Sequence, residues 1–219
     1  MSVHLQKQID KLKRQITAMG NLAEQSLLKA MVAVERRDAV VAEQVIAADG
    51  KVDQMELDVE EECLHTLALY QPVASDLRYV VSVLKINNDL ERIADMASNI
   101  AQQAVFLASE PPVDPMPFDL VGMADRVRRM LARALEAMLN SDPELADTVR
   151  ASDDEVDTIH RHMYERVEAA MRERPDRIPS FIHLMNISRQ LERVADLATN
   201  IAEDVIYTAR GKLVRHMHE

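Results

Sequence analysis

The chain has 219 residues, 47 % of them apolar, with 37 acidic and 26 basic side chains and a formal net charge of −11. That balance argues against a nucleic-acid binder, which would usually show a basic face, and favours a chain that tolerates or needs counter-cations. Glycines number 4, aromatics make up 3 %, and Ala, Leu, Met, Glu and Arg dominate, so the composition predicts an all-α protein with a sizeable core.

The first fifteen residues, MSVHLQKQIDKLKRQ, are polar and lack the apolar centre of a signal peptide. The chain has no run of about 18 apolar residues that would span a membrane. A soluble, cytoplasmic protein is therefore expected. Cys63 has no second cysteine to pair with, which fits a reducing compartment.

A first helix is predicted over 5–37, with Ile9, Leu12, Ile16, Met19, Ala23, Leu27, Ala30 and Val34 at helical spacing. Asp38 suits the N-cap of a second helix ending at residue 70, where Gln71-Pro72 breaks it. A third helix is predicted over 74–108. The stretch SEPPVDPMPF, 109–118, holds four prolines and reads as a linker. Beyond it, helices are predicted over 120–140, 143–172 and 179–210. Asp142-Pro143 marks a helix start and Gly211 a stop. The organisation expected is thus two tandem three-helix bundles, six long helices related by internal duplication: residues 1–108, a Pro-rich linker 109–117, and residues 118–219.

The duplication is visible in the letters. LERIADMASNIA, 90–101, returns as LERVADLATNIA, 191–202; over 86–101 and 187–202, ten of sixteen positions are identical. At an offset of 104, Asp49-x-x-Val52-Asp53 corresponds to Asp153-x-x-Val156-Asp157. Each half therefore carries two acidic pairs at i, i+4: Asp49/Asp53 and Glu91/Asp95, then Asp153/Asp157 and Glu192/Asp196. Asn99 and Asn200 extend the third-helix ladders by a turn, and Glu203 returns to the same stripe where the first half has Gln102. Carboxylates stacked this way repel by about 0.2–0.5 kcal/mol per pair. Four such pairs at matching places point to bound hard cations, which take oxygen ligands. Two other readings compete. In a metal-free structural module, Arg92 and Arg193 would neutralise Asp95 and Asp196 at i+3. In a di-metal helical oxidase, Glu62-x-x-His65 would supply a ligand pair, but the chain has only one copy of a motif that such sites need twice.

His160 falls near the Asp157 stripe and could join a metal site, although a surface histidine is the simpler reading, as it is for His162. His216 and His218 lie in a short polar tail. No Gly-rich phosphate loop, nucleophile elbow or Cys/His zinc pattern occurs, so the chain is expected not to be an enzyme.

The segment QPVASDLRYVVSVLKINNDLERIADMASNIA, 71–101, resembles the first-repeat signature of the PhoU family, and ISRQLERVADLATNIAEDVIYTARGKLVRH, 187–216, resembles the second. MGNLAEQSL, 19–27, also matches the family pattern. The resemblance implies two three-helix bundles about a pseudo-two-fold axis, often as a homodimer. It implies a cytoplasmic accessory protein that restrains the high-affinity phosphate ABC transporter and the phosphate-starvation response, with a membrane sensor histidine kinase as second partner. It further implies multivalent cations (Mg, Mn, Fe or Zn) on Glu91, Asp95, Glu192 and Asp196, joined by Asp49, Asp53, Asp153 and Asp157.

Overall fold

The computed structural model of the chain describes residues 3–211. Among these are seven α-helices and one 3-10 turn, and no strand. Helix α1 runs over Val3–Arg36, α2 over Ala39–Tyr70 and α3 over Ala74–Ser109. The predicted apolar stripe of α1 is buried from Leu12 through Val34. Asp38 caps α2 by accepting hydrogen bonds from the Val40 and Val41 N–H groups, 3.0 and 3.1 Å away.

In the second half, α4 spans Leu120–Asn140, α5 Pro143–Arg150, α6 Asp153–Glu173 and α7 Ile178–Arg210, with the 3-10 turn at Pro175–Arg177. Asp142 caps α5 as Asp38 caps α2. The single helix expected over 143–172 is instead broken at Ala151-Ser152. The Ser152 N–H turns to the Val149 carbonyl at 3.0 Å, and its hydroxyl donates to the Thr148 carbonyl at 2.8 Å. A serine that satisfies itself locally competes with the helical ladder. The matching position in the unbroken α2, 104 residues earlier, is Ala48, which has no hydroxyl. Gly211 ends α7 as expected, in the left-handed region with φ 69°, its N–H bonded to the Tyr207 carbonyl at 2.9 Å. His216 and His218 lie outside the described residues.

Helices α1, α2 and α3 pack together as one bundle, and α4, the α5–α6 pair and α7 as the other. Equivalent helices meet between them: α3 runs along α7, and α1 touches α4. Gly20 makes the second contact close, since a Cβ there would lie 2.6 Å from Leu135 Cδ2. Along α3 and α7, Lys85 Nζ lies 3.3 Å from the buried Asp204, and the Thr208 hydroxyl donates to Ser82 Oγ at 2.8 Å. The apolar cores of the two bundles merge into one continuous cluster.

The non-helical stretch 110–119 is held at its start and at its middle. Arg37, from the end of α1, donates to the Leu107 and Glu110 carbonyls. Arg174, from the end of α6, donates to the Asp114 and Pro115 carbonyls at 2.8 and 3.3 Å.

Candidate functional site

Because α2 and α3 are neighbours, the two acidic ladders of the first repeat face each other. One carboxylate oxygen from each of Asp49, Asp53 and Asp95 lies within 4.8 Å of the other two. Glu91, one turn before Asp95, adds a fourth carboxylate. Burial raises its pKa, and the charges of Asp95, Asp53, Glu56 and Asp49 add to the rise. Burial likewise raises Asp49 and Asp95; the Ser98 hydroxyl opposes the rise at Asp49.

The second repeat sets its acidic pairs on α6 and α7 near enough for their charges to act on one another, but among the described residues only the first repeat brings three carboxylate oxygens within 4.8 Å of each other. Burial first, then Asp157, Asp196 and Asp154, push Asp153 up to about 6. Its Oδ1 is buried without a hydrogen-bond partner among the described residues. Glu192 and Asp196 are raised by burial and by their acidic neighbours, with Arg193 pulling both back only in part.

The structure thus brings Asp49, Asp53 and Asp95 together with Glu91 electrostatically coupled to them, and leaves Asp153, Asp157, Glu192 and Asp196 coupled by charge in a looser arrangement. Three further candidates extend the ladders. Glu203 pairs with Arg150 at 3.5 Å. Asn99 has an exposed side chain, and Asn200 is half-buried. The expected pairing of Arg92 with Asp95 does not form: Arg92 turns back one turn to the buried Asp89, 3.7 Å away. Asp89 lies at i−3 and Asp95 at i+3, and the less hydrated acid gains more from a cation. Glu62 and His65 do not converge either, since Glu62 binds Lys11 and exposed His65 lies 3.9 Å from Glu61.

One pair of positions was not singled out in the sequence. Glu56 continues the Asp49, Asp53 stripe by another turn, and Asn87 on α3 donates to its carbonyl at 2.9 Å and lies 3.4 Å from Oε1. At the matching positions of the second repeat stand His160 and Ser188, whose Nδ1 and Oγ are 2.9 Å apart. The contact between the helices is kept while its chemistry changes, from carboxylate and amide to imidazole and hydroxyl. His160 is half-buried, edge-on to Tyr164, rather than a free surface histidine; His162 is exposed.

The oxygen donors fit a hard cation. Two ligands of one ion can lie at most twice the metal–oxygen distance apart, about 4.2 Å for Mg²⁺ and about 4.6–5.2 Å for Ca²⁺. The first-repeat oxygens, all within 4.8 Å of one another, meet the Ca²⁺ limit.

The sequence matches the PhoU domain twice, over residues 16–104 and 120–205, once per bundle. The chain belongs to the PhoU family. A PhoU homologue of Aquifex aeolicus, named a phosphate-specific transport system accessory protein, is 36 % identical over 212 residues, covering 97 % of this chain and 96 % of that protein. One from Pseudomonas putida with the same name is also 36 % identical, over 99 % of this chain and 85 % of its own length. Among solved structures, PhoU from Pseudomonas aeruginosa superposes with a TM-score of 0.91 at 35 % identity, covering 94 % of this chain and 99 % of that one. The PhoU of Streptococcus pneumoniae, described as a phosphate transport system regulatory protein, gives 0.85 at 28 % identity, covering 96 % and 99 %. No helix among the described residues is long and apolar enough to cross a membrane.

Proposed function

We propose that this PhoU-family protein is a non-enzymatic accessory regulator of phosphate transport. It restrains a high-affinity phosphate ABC transporter and holds the phosphate-starvation response off when phosphate is plentiful. The observation that carries this reading is the full-length similarity to proteins named as accessory or regulatory components of phosphate-specific transport. In this reading the protein works as a cytoplasmic homodimer, and its membrane partners are the transporter and a sensor histidine kinase.

The acidic groups give the reading a physical handle. Asp49, Asp53, Glu91 and Asp95 would hold cations in one repeat, and Asp153, Asp157, Glu192 and Asp196 in the other. A bound cation supplies charge neutralisation: it removes the repulsion that raises these carboxyls and fixes the surface that a partner meets. The turning of Arg92 to Asp89 favours this over a module neutralised by its own arginines.

Two measurements test the proposal. Deleting the gene should raise phosphate uptake and switch on phosphate-responsive expression in phosphate-replete medium, and complementation should reverse both. Unchanged uptake and expression would overturn the regulatory reading. Elemental analysis of untagged protein should find divalent or trivalent metal that is reduced in Glu91→Ala/Asp95→Ala; equal content in both proteins would reject cation binding at the first group.

A further inference from the structure

A second concentration of charge lies away from the acidic groups and has the opposite sign. Helix α4 carries Arg126, Arg129 and Arg133, spaced i, i+3, i+7 and therefore on one face. They line a concavity of about 160 Å³ closed on its other side by the corner between α5 and α6, where Val149, Ser152 and Glu155 contribute. Space of this size holds roughly five waters at about 30 Å³ each, which suits one small oxoanion rather than a nucleotide.

The charges of this concavity do not cancel. Arg126 donates from Nε to Glu155 at 3.2 Å and from Nη1 to the Gly122 carbonyl at 2.9 Å, and its Nη1 lies 3.9 Å from Asp119, just outside the concavity. Arg129 and Arg133 have no hydrogen bond or ion pair among the described residues. With three arginines and one glutamate, and its other lining residues uncharged, the concavity carries 3 − 1 = +2. The chain as a whole has an acidic excess of eleven, so carboxylates to pair these arginines are abundant, yet the fold places only Glu155 in this concavity. Like charges at i, i+3 and i, i+4 cost stability, and here only Arg126 is relieved by a carboxylate.

The duplication did not produce this feature. Going back 104 residues, the matching positions are Leu22, Gln25 and Lys29 on α1, with Ala48 and Lys51 on α2. The first repeat thus has neither the three arginines nor the serine corner. Guanidinium forks match tetrahedral oxoanions, offering paired donors in one plane.

We propose that the concavity between α4 and the α5–α6 corner binds a phosphate dianion, with Arg129 and Arg133 as its principal ligands and Arg126 held in place by Glu155. This assignment does not rest on the regulatory reading, and its test uses binding alone. Full-length protein, treated with chelator so that no metal on the acidic groups can capture the anion, is titrated calorimetrically with inorganic phosphate. In a parallel arm it is sedimented with vesicles of phosphatidylcholine with and without phosphatidic acid, which presents the same group on a lipid. Saturable one-site binding of free phosphate, weakened about tenfold or more in Arg129→Gln/Arg133→Gln and tightened in Glu155→Gln, is the expected result, since each charge-assisted hydrogen bond lost is about a tenfold effect or more. Circular dichroism and thermal melts check that the variants are folded. Arginine-dependent sedimentation with phosphatidic acid alone would assign the same site to a lipid phosphate. Absence of saturable binding in both arms, or equal binding by wild type and the double variant, would overturn the proposal.

Discussion

Asp153 holds its proton to about pH 6 because burial and three neighbouring aspartates disfavour its charge, whereas an unfolded aspartate titrates near 3.9. A carboxyl raised by folding stabilises the protein below its unfolded pKa, and that stabilisation is lost as pH rises through the folded value. Metal-free protein should therefore be less stable at pH 7.5 than at pH 5, in part through this residue. The full shift overstates the effect at a half-exposed position, where solvent screens the charges; about 1 kcal/mol is a reasonable scale. Asp153→Asn should then raise the melting temperature of chelated protein by about 2–4 °C at pH 7.5 and change it little at pH 4. Thermal melts at both pH values check this, and adding Mg²⁺ or Mn²⁺ should remove the advantage of the variant. The ladders were legible in the sequence because repetition made a common pattern uncommon. The pairing of Arg92 was not, since a helix offers it an acid on either side and only burial of Asp89 decides between them. The Glu56 and His160 contacts were hidden for another reason: their partners, Asn87 and Ser188, lie on a different helix.

At the scale of helices, Asp38 and Asp142 occupy equivalent caps, each accepting two backbone N–H groups. Replacing either with Ala should cost about 1 kcal/mol, or about 2–4 °C in melting temperature. The two caps share no partner, so the double variant should show the sum; a much larger combined loss would reveal coupling between the repeats at these ends. Helix starts and stops were readable because Asp, Pro and Gly act locally. The break between α5 and α6 was not, because ADTVRASDDEVD keeps its helical pattern through the corner, where the Ser152 N–H turns to the Val149 carbonyl. The arginine concavity depends on that corner: α4 supplies its charges, but the far wall exists only where the helix turns.

For the whole molecule, the continuous core predicts one cooperative unfolding transition rather than one per repeat. Scanning calorimetry should give a calorimetric enthalpy equal to the van't Hoff enthalpy. Two resolved transitions would contradict it. A cation present at about one hundred times its dissociation constant should raise stability by about 2.7 kcal/mol for each equivalent site. The first repeat offers five carboxylates where the second offers four and an imidazole, so the increments from the two repeats should differ and should separate most clearly between Mg²⁺ and Zn²⁺.

The clamped stretch 110–119 bears on how such a molecule signals. Arg37 grips it from one bundle and Arg174 from the other, and Gly20 lets Leu135 close the gap between the bundles. A joint fastened in this way leaves little freedom for the halves to swing. Cation loading of the acidic groups, as proposed above, would then change the charge of the surface while leaving its outline nearly the same.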